Sequence, residues 1–395
     1  MRRIGLLAFV VFCATSLSGC WLQLGDGPGR RSFVADETTL TNSTVNTLHQ
    51  AWSVDLGVFP LSSPLVNKGN VYVSGGSTMT ALAAKNGAQS WQTDIGTDPD
   101  KPTLDQPAFS GERILVPYSI FSFGGTYSFD ATTGTFNDNG GTLHVIPYGA
   151  PAVTGTTEVY DVAAIQPPSS GGTILHMGSL AGFVSFGSLG SDLTASNPMV
   201  SGNRAFVSSQ NGVLAFALDS CPSSPAPGLC SPQWTTPLGA SGGMPVALSA
   251  TQLAVPLSNL NVAVLDDATG ALQWSASTGS NALQSPAIDG STMYVGGASS
   301  VVKAFPIAGC GMATCSTPTW TSPSVGGAIS SQPVVAGGVV YVGTSVGTLV
   351  ALDASTGAIL KTLTVDATAN KVFVVEDAGT VYATTNSGVV AAFRP

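Results

Sequence analysis

The stretch SSQPVVAGGVVYVGTSVGTLVALDASTGAIL, residues 330–360, decides the fold. It opens on Pro-Val-Val at Pro333, and short runs of β-branched and apolar residues follow, separated by turn signals. Gly337-Gly338 predicts the first turn and DASTG, residues 353–357, the last, because an Asp side chain can bond the turn backbone and Gly tolerates positive φ. The pattern predicts four antiparallel strands joined by three turns, which is one blade of a β-propeller.

This proline phrase recurs along the chain. Its copies begin at Pro64, Pro107, Pro151, Pro198, Pro245, Pro286 and Pro333, spaced 43, 44, 47, 47, 41 and 47 residues apart. Proline suits the first residue of a strand, since it has no N–H to donate to a ladder. A period of about 40 to 50 residues made of short strands is typical of a propeller. An eighth copy without the proline surrounds Val381, so we predict an all-β fold, a single propeller of eight four-stranded blades.

The two ends of the repeat region indicate how the ring closes. The eighth copy stops after its third strand, at VVAAFRP, whereas QAWSVDLG, residues 50–57, precedes the first copy and reads as a detached fourth strand. Pairing residues 50–57 with the last blade, residues 369–395, would remove an unpaired strand edge.

Tryptophan recurs at one position of the predicted fourth strands. The five residues are Trp52, Trp91, Trp234, Trp274 and Trp320. We predict that they pack between neighbouring blades and bury a large apolar area at each seam. Their regular recurrence favours packing over the alternative, stacking on a carbohydrate.

The N-terminus has the pattern of a processing segment. Met-Arg-Arg, an apolar run and LSGC, residues 17–20, make a secretory signal, and the run is too short for a membrane span. LSGC resembles the bacterial lipobox, in which the cysteine is diacylated and becomes the first mature residue; an ordinary signal peptide with an incidental cysteine is the alternative. We therefore expect a signal peptide at 1–19, an acylated flexible tether at 20–49 and the propeller at 50–395. Trp21 rather than Asp after Cys20 favours a periplasm-facing anchor in the outer membrane.

The remaining mature cysteines bracket two loops that replace the DxxTG turn. They form the pairs Cys221/Cys230 and Cys310/Cys315. Short local pairs in an exported protein predict two disulfides within blades, and metal binding would need four converging ligands.

Charged residues are only 9% of the chain, the formal charge is −9, and the basic residues are scattered, which argues against nucleic-acid binding.

The pattern PxVxxGxVYVG…GxLxALDxxTGxxxW over residues 50–395 resembles the pyrroloquinoline-quinone-type propeller repeat family. Within it, an acylated single-domain chain of this size is similar to the propeller lipoproteins of the bacterial outer-membrane β-barrel assembly machinery. That resemblance implies a non-enzymatic scaffold that binds a protein partner in the envelope.

Quinoprotein dehydrogenases share this repeat and are the competing hypothesis. The resemblance associates their quinone site with adjacent cysteines, a calcium ion and a catalytic Asp, whereas no two cysteines are adjacent here. The densest acidic run, Asp94, Asp98, Asp100 and Asp105, reads as a solvated loop, and His49, His144 and His176 are far apart. We therefore predict no catalytic residue, no metal and no cofactor, pyrroloquinoline quinone included.

A third hypothesis is an extracytoplasmic ligand or polysaccharide binder. Its candidate loops are those that interrupt the repeat: Phe121 to Gly125, Ile165 to Gly172 and the two cysteine-bracketed loops.

Overall fold

A computed structural model describes residues 20–96, 101–120, 123–137, 145–154, 158–165, 172–179, 182–188, 195–210, 212–218, 228–280 and 284–395. Within these ranges the chain is built of β-strands, with one 3-10 turn at Val45–Thr47. We number the strands β1–β36 in chain order.

The described strands separate into seven sheets, numbered here as blades. Blade 1 contains β3 (Leu65–Asn67), β4 (Asn70–Gly75), β5 (Thr78–Ala83) and β6 (Gln89–Asp94). Blade 2 contains β7 (Thr103–Leu104), β8 (Ala108–Ser110), β9 (Arg113–Ile120), β10 (Phe123–Asp130), β11 (Phe136–Asn137), β12 (Val145–Thr154), β13 (Glu158–Ile165), β14 (Gly172–Ser179), β15 (Gly182–Ser188) and β19 (Gly228–Cys230). Blade 3 contains β16 (Met199–Ser201), β17 (Arg204–Ser209), β18 (Gly212–Ala217) and β20 (Trp234–Thr236).

Blade 4 contains β21 (Val246–Ala247), β22 (Gln252–Pro256), β23 (Asn261–Asp266), β24 (Leu272–Ser277) and β28 (Thr314–Cys315). Blade 5 contains β25 (Ala287–Asp289), β26 (Thr292–Gly296), β27 (Val302–Pro306) and β29 (Trp320–Thr321). Blade 6 contains β30 (Val334–Ala336), β31 (Val339–Gly343), β32 (Thr348–Asp353), β33 (Ile359–Thr364) and β1 (Phe33–Val34). Blade 7 contains β34 (Val372–Asp377), β35 (Thr380–Thr385), β36 (Val389–Arg394) and β2 (His49–Asp55).

The prediction of eight blades is wrong, because the structure has seven. The second and third copies of the repeat share the ten-stranded sheet of blade 2. β9 and β10 extend beyond the usual strand length as one long hairpin, and Gly124 of β10 pairs with Val145 of β12. This pairing joins two units that the proline spacing had separated, and the sheet presents both β8 and β12 to the centre.

The predicted ring closure is confirmed. β2 pairs antiparallel with β36, with His49 opposite Arg394 and Asp55 opposite Val389, so a strand from before the first copy completes the last blade. Trp52 lies in this strand opposite Ala392. Each end of the propeller region therefore removes the unpaired edge of the other.

Tryptophan and glycine of the repeat meet at the seams between blades. Four indole N–H groups donate to a carbonyl in the turn between the third and fourth strands of the next blade, which is AAKNG in blade 1 and DxxTG in the others: Trp52 to Ala84 (2.9 Å), Trp91 to Ala131 (3.0 Å), Trp234 to Asp267 (3.1 Å) and Trp320 to Ala354 (3.0 Å). The closing glycine of the turn lies against the indole, since a Cβ on Gly357 would lie 2.4 Å from Trp320 Cε3. Gly357 also has a φ of +74°, so the turn needs glycine for conformation and for contact.

Residues 20–49, for which composition suggested a flexible tether, include segments packed against the ring. Trp21 and Leu40 are buried, Arg30 is fully buried, and β1 pairs in parallel with β30 along the inner edge of blade 6. We call residues 21–34 the N-terminal plug. Its glycines serve coiled backbone rather than disorder, and non-glycine residues with positive φ are also found there, at Asp26, Arg30 and Ser32.

Candidate functional site in the central channel

The plug covers the inner strand edges of blades 1–6. In each copy of the proline phrase the third residue donates its backbone N–H to the plug. The seven bonds are Val66 to Trp21 O (2.9 Å), Phe109 to Leu22 O (2.8 Å), Val153 to Gln23 Oε1 (3.0 Å), Val200 to Pro28 O (2.9 Å), Ala247 to Gly29 O (2.9 Å), Ile288 to Arg31 O (2.9 Å) and Val335 to Ser32 O (2.9 Å). The feature that defines the repeat therefore holds the chain's own N-terminal segment, and donors that would otherwise be unpaired at the channel are satisfied.

Two glutamines reinforce this docking. Gln23 donates to Val153 O at 3.0 Å and accepts from the N–H of the same residue, so its amide pairs with the strand as a peptide group would. From the ring side, Gln332 donates to Arg30 O at 2.9 Å and to Pro286 O at 3.0 Å.

Arg30 is fully buried, with 0% of its surface exposed. Among the described residues, no other charged residue reaches 0% exposure. Its guanidinium donates to three backbone carbonyls: Pro198 O from Nε (2.8 Å), Ala150 O from Nη2 (2.8 Å) and Leu24 O from Nη1 (3.0 Å). Burial lowers its pKa to about 9. The planar fork of donors matches this arrangement of carbonyls, which an ammonium group cannot reproduce.

A small cavity remains between the plug and the ring. It has room for about one water molecule, with a volume of about 20 Å³, and is lined by Trp21, Ser331, Gln332 and neighbouring apolar groups. Trp21 Nε1, Ser331 Oγ and Gln332 Oε1 are buried without a protein partner. A donor, a hydroxyl and an acceptor around this volume fit a bridging water.

Carboxyl groups gather where the chain leaves the channel. Glu37 accepts from the N–H of Gly379 at 2.8 Å and of Leu40 at 2.8 Å, and it is hydrogen-bonded to Glu376. Burial, then the bond to Glu37, raises the pKa of Glu376 to about 10. Burial alone would raise the pKa of Glu37, but the bonds from Glu376 and from backbone N–H groups hold it below its usual value. Glu376 therefore stays protonated and donates to the Glu37 carboxylate, which fastens the segment after the plug to blade 7.

Two further aspartates belong to this acidic group. Burial, with the charges of Asp377 and Asp36, raises the pKa of Asp26 to about 7. Burial, with the charges of Glu37 and Asp36, raises the pKa of Asp377 to about 6. In the part of the chain that the structure describes, no group of three or more His, Cys, Asp or Glu residues is arranged to hold a metal ion.

The predicted disulfide pairs fall in different parts of the structure. Cys310 and Cys315 form a disulfide with a Cα–Cα distance of 5.7 Å. Their loop lies along the outer edge of blade 4, where Thr314 of β28 pairs in parallel with Ser275 of β24. Gly309 lies under the indole of Trp274, whose Nε1 is buried without a partner, because this loop replaces the DxxTG turn that accepts the bond at other seams. Cys230 is disulfide-bonded, and Cys221 lies outside the described residues.

Cys20, the predicted acylation site, lies at one mouth of the channel. Its Sγ is 3.7 Å from Asn67 Oδ1, at the end of β3, and it takes part in a disulfide in this structure. We call this side of the ring the DxxTG face, because turns between first and second strands and DxxTG turns lie at the same ends of antiparallel strands. Asn42, which follows the plug, donates to Asp353 Oδ2 at 2.8 Å on the same face, so the chain enters the channel and leaves it on this face.

The described residues of the acidic run and the described histidines make separate contacts. Asp94 accepts from Ser77 Oγ at 2.6 Å, Asp105 accepts from the N–H of Gly149 at 2.7 Å, and Asp98 and Asp100 lie outside the described residues. His49 is exposed in β2, and His144 lies outside the described residues. The backbone of His176 lies in β14 of blade 2.

The interrupting loops are described only in part. Residues 121–122, 166–171 and 219–227 lie outside the described residues. No helix among the residues the structure describes is both long and apolar enough to cross a membrane.

A ring of antiparallel sheets with a tryptophan and a DxxTG turn at its seams defines a β-propeller of the pyrroloquinoline-quinone type. The chain belongs to the family described as outer membrane protein assembly factor BamB, which matches residues 22–142 and 313–394, just over half of the chain. No curated protein matches the chain.

Solved structures share the fold at low sequence identity. BamB from Moraxella catarrhalis is 14% identical with a TM-score of 0.62, covering 88% of this chain and 98% of its own. The computationally designed Ika8 protein is 12% identical with a TM-score of 0.72, covering 88% and 99%. A quinohemoprotein alcohol dehydrogenase from Pseudomonas putida is 13% identical with a TM-score of 0.67, covering 95% of this chain and 80% of its own.

The cavity beside Trp21 does not fit pyrroloquinoline quinone. Its volume of about 20 Å³ is far smaller than the hundreds of cubic ångströms of a small-molecule site. No charged side chain lines it to pair with the carboxylates of the quinone.

Sequence reasoning missed the plug. Its signal was present: Arg30 and Arg31 are adjacent in a chain with few arginines, and Trp21 and Leu22 are apolar in a segment interpreted as solvated. Glycine content concealed that signal, since glycine serves coiled, closely packed backbone as well as flexible linkers.

Proposed function

We propose that this protein is a non-enzymatic scaffold of the bacterial envelope that binds a protein partner in outer-membrane protein assembly. Membership in the BamB family supports the setting. The occupied channel supports the proposal that the protein is not an enzyme, because residues 21–34 lie where a propeller would hold a small substrate.

Partner binding is then expected on the face opposite the DxxTG face, because an anchor at Cys20 would hold the DxxTG face to the membrane. Large apolar side chains are exposed in its loops: Phe59 (66%), Val346 (48%) and Leu260 (37%). Loops at one end of a propeller commonly carry its binding residues, and aromatic side chains contribute much of the energy at protein interfaces.

Crosslinking in cells, followed by purification in mild detergent and identification of partners, tests this function. We expect an outer-membrane assembly protein to be recovered, and a Phe59→Ser variant to recover less of it. If no envelope protein is recovered with the wild-type chain, the proposal is contradicted.

We further propose that acylated Cys20 anchors the chain in the outer membrane, facing the periplasm. The LSGC order before Cys20 and the family support it. Acylation and the disulfide recorded for Cys20 exclude each other in one chain. Mass spectrometry of the N-terminal peptide from membranes decides between them: a diacylglyceryl mass at residue 20 is expected, and a Cys20→Ser chain should leave the membrane fraction.

A quinoprotein-like dehydrogenase is the second candidate, favoured by the fold shared with the quinohemoprotein alcohol dehydrogenase. Adding pyrroloquinoline quinone and calcium to the purified chain tests it. A shifted quinone absorbance together with alcohol oxidation would replace the scaffold proposal.

A further inference from the structure

The plug is held in the manner of a bound peptide. Its backbone carbonyls accept from the inner strands of successive blades, and β1 adds a short parallel strand to β30. Addition of an extended segment to exposed strand edges is a general mode of peptide recognition, in which main-chain bonds supply affinity. The ring side of these bonds consists of strand residues that neighbouring strands already hold in place.

The same contacts contain a selective element. Pro198 O and Ala150 O belong to the ring, and both accept from the guanidinium of Arg30 at 2.8 Å. These carbonyls lie in the buried wall of the channel, where an apolar replacement would leave two acceptors unsatisfied. Among the described residues Arg30 bonds to carbonyls and to no carboxylate, so recognition depends on the geometry of the donors.

Space beside the guanidinium restricts the occupant further. A Cβ on Gly25 would lie 3.0 Å from Gln332 Oε1, and one on Gly29 would lie 3.2 Å from Ala247 Cβ. Gly25 also has a φ of +72°. The occupant therefore needs an arginine with glycines immediately before it and five residues before it, as in GDGPGR, residues 25–30.

We propose that the central channel is a receptor site for a glycine-rich, turn-containing peptide bearing one arginine, and that residues 21–34 of the same chain are its ligand. This site is distinct from the proposed partner surface and does not depend on acylation. The channel opens to another ligand only when the plug leaves it.

Cutting the connection after the plug tests the site in the full chain. Ala35 and Asp36 are exposed, so a protease recognition sequence can be inserted between them. The experiment uses a Cys20→Ser background, in which no disulfide at residue 20 retains the fragment. After cleavage of the folded chain we expect the N-terminal fragment to co-elute with the propeller, and a fluorescent peptide of residues 21–36 to exchange into the channel with a rise in anisotropy.

A matched peptide separates recognition from general stickiness. An Arg30→Lys peptide keeps the charge and loses the fork, and we expect it to compete about tenfold more weakly. Equal competition by both peptides, or free loss of the fragment from a folded propeller, would overturn the proposal. Elution as a dimer that exchanges fragments would show that a second copy is the ligand, which overturns the assignment within one chain.

Amide hydrogen exchange on the wild-type chain tests whether the plug occupies the channel without inserting a protease recognition sequence. The N–H groups of Val200, Ala247 and Ile288 should exchange as slowly as strand amides, because each donates to the plug. Exchange at the rate of exposed turn amides such as Lys68 would show that the channel is not occupied in solution.

Discussion

At the scale of single residues, carboxyl groups and glycines decide how segments far apart in sequence are fastened. Glu376 is 1% exposed, and its side chain interacts with Glu37, which lies more than 300 positions earlier in the chain. Glycine of the DxxTG turn lies under an indole from a neighbouring blade. In both contacts the two residues are far apart in sequence. The local sequence pattern therefore predicts a turn or a strand end, but it does not indicate which residue that turn or strand end will contact.

Stability should fall as pH rises, because of Glu376. Between its ordinary pKa of 4.5 and its folded value of about 10, the folded chain keeps a proton that the unfolded chain has released. Each such group lowers the free energy of unfolding by about 1.4 kcal/mol per pH unit in that window. Glu376→Gln keeps a donor for Glu37 without that proton, so urea unfolding at pH 5, 7 and 9 should show a shallower decline.

Glu112→Gln is the matched control, since Glu112 is an exposed carboxylate paired with Lys68. It should leave the pH slope as in the wild type. A Glu376→Gln slope equal to that of the wild type would refute the proton-held contact.

Glycine at the seams should be more sensitive than glycine in free turns. Gly357 and Gly69 have φ of +74° and +75°, but a Cβ on Gly69 meets nothing within 4 Å. Gly69→Ala should cost about 1–2 kcal/mol for the left-handed backbone alone. Gly357→Ala should cost about 1–3 kcal/mol more, because the methyl group would displace Trp320. Chemical denaturation of both variants measures the difference, and equal losses would contradict the seam contact.

At the scale of elements, two segments cover strand edges of blades that are otherwise built from distant parts of the chain. They are the closing strand, β2, and the plug. β2 supplies blade 7 with a fourth strand, and the plug supplies the inner strands with acceptors. The first could be predicted, because both the truncated copy and the detached strand carry the repeat. The second was missed, because the plug carries no strand periodicity and its acceptors are mostly backbone carbonyls, which every residue has.

Removal of the closing tryptophan, Trp52, should be more damaging than removal of Trp91. Trp52 is 8% exposed and donates to Ala84 in blade 1, so it joins the last blade to the first. Trp52→Ala should cost about 3–5 kcal/mol. Trp91→Ala, at a seam between sequential blades and only half-buried, should cost less. Thermal unfolding of both variants tests this, and a larger loss for Trp91→Ala would argue against the closure as the weak point of the ring.

At the scale of the whole molecule, the position of Cys20 sets which face an anchor would hold to a membrane. The plug begins next to Asn67 on the DxxTG face, and Trp21 is already buried, so an acyl group on Cys20 has no tether. The DxxTG face would then lie against lipid, and the opposite face would be directed into the periplasm.

Lysine labelling measures this orientation with an internal control. Lys68 and Lys85 are exposed on the DxxTG face, whereas Lys101 and Lys371 are exposed in connections between blades on the opposite face. A membrane-impermeant amine reagent should label Lys68 and Lys85 more weakly in membranes than in detergent, with Lys101 and Lys371 unchanged. Equal labelling of all four in membranes would mean that the ring is held away from the bilayer.

The sequence by itself determined the propeller, because strands, turns and seam residues repeat locally along the chain. It also determined the closure, since both halves of the last blade carry that repeat. Only the tertiary structure decided that the second and third copies share one sheet, through the pairing of Gly124 with Val145. It alone placed residues 21–34 in the channel, because Gln332 and Arg30 are 302 positions apart and join carbonyls to donors that no local pattern distinguishes. Each proline phrase predicts the start of a strand. Only the closed ring brings the N–H groups of the seven phrases to the central channel, where they bond to the plug.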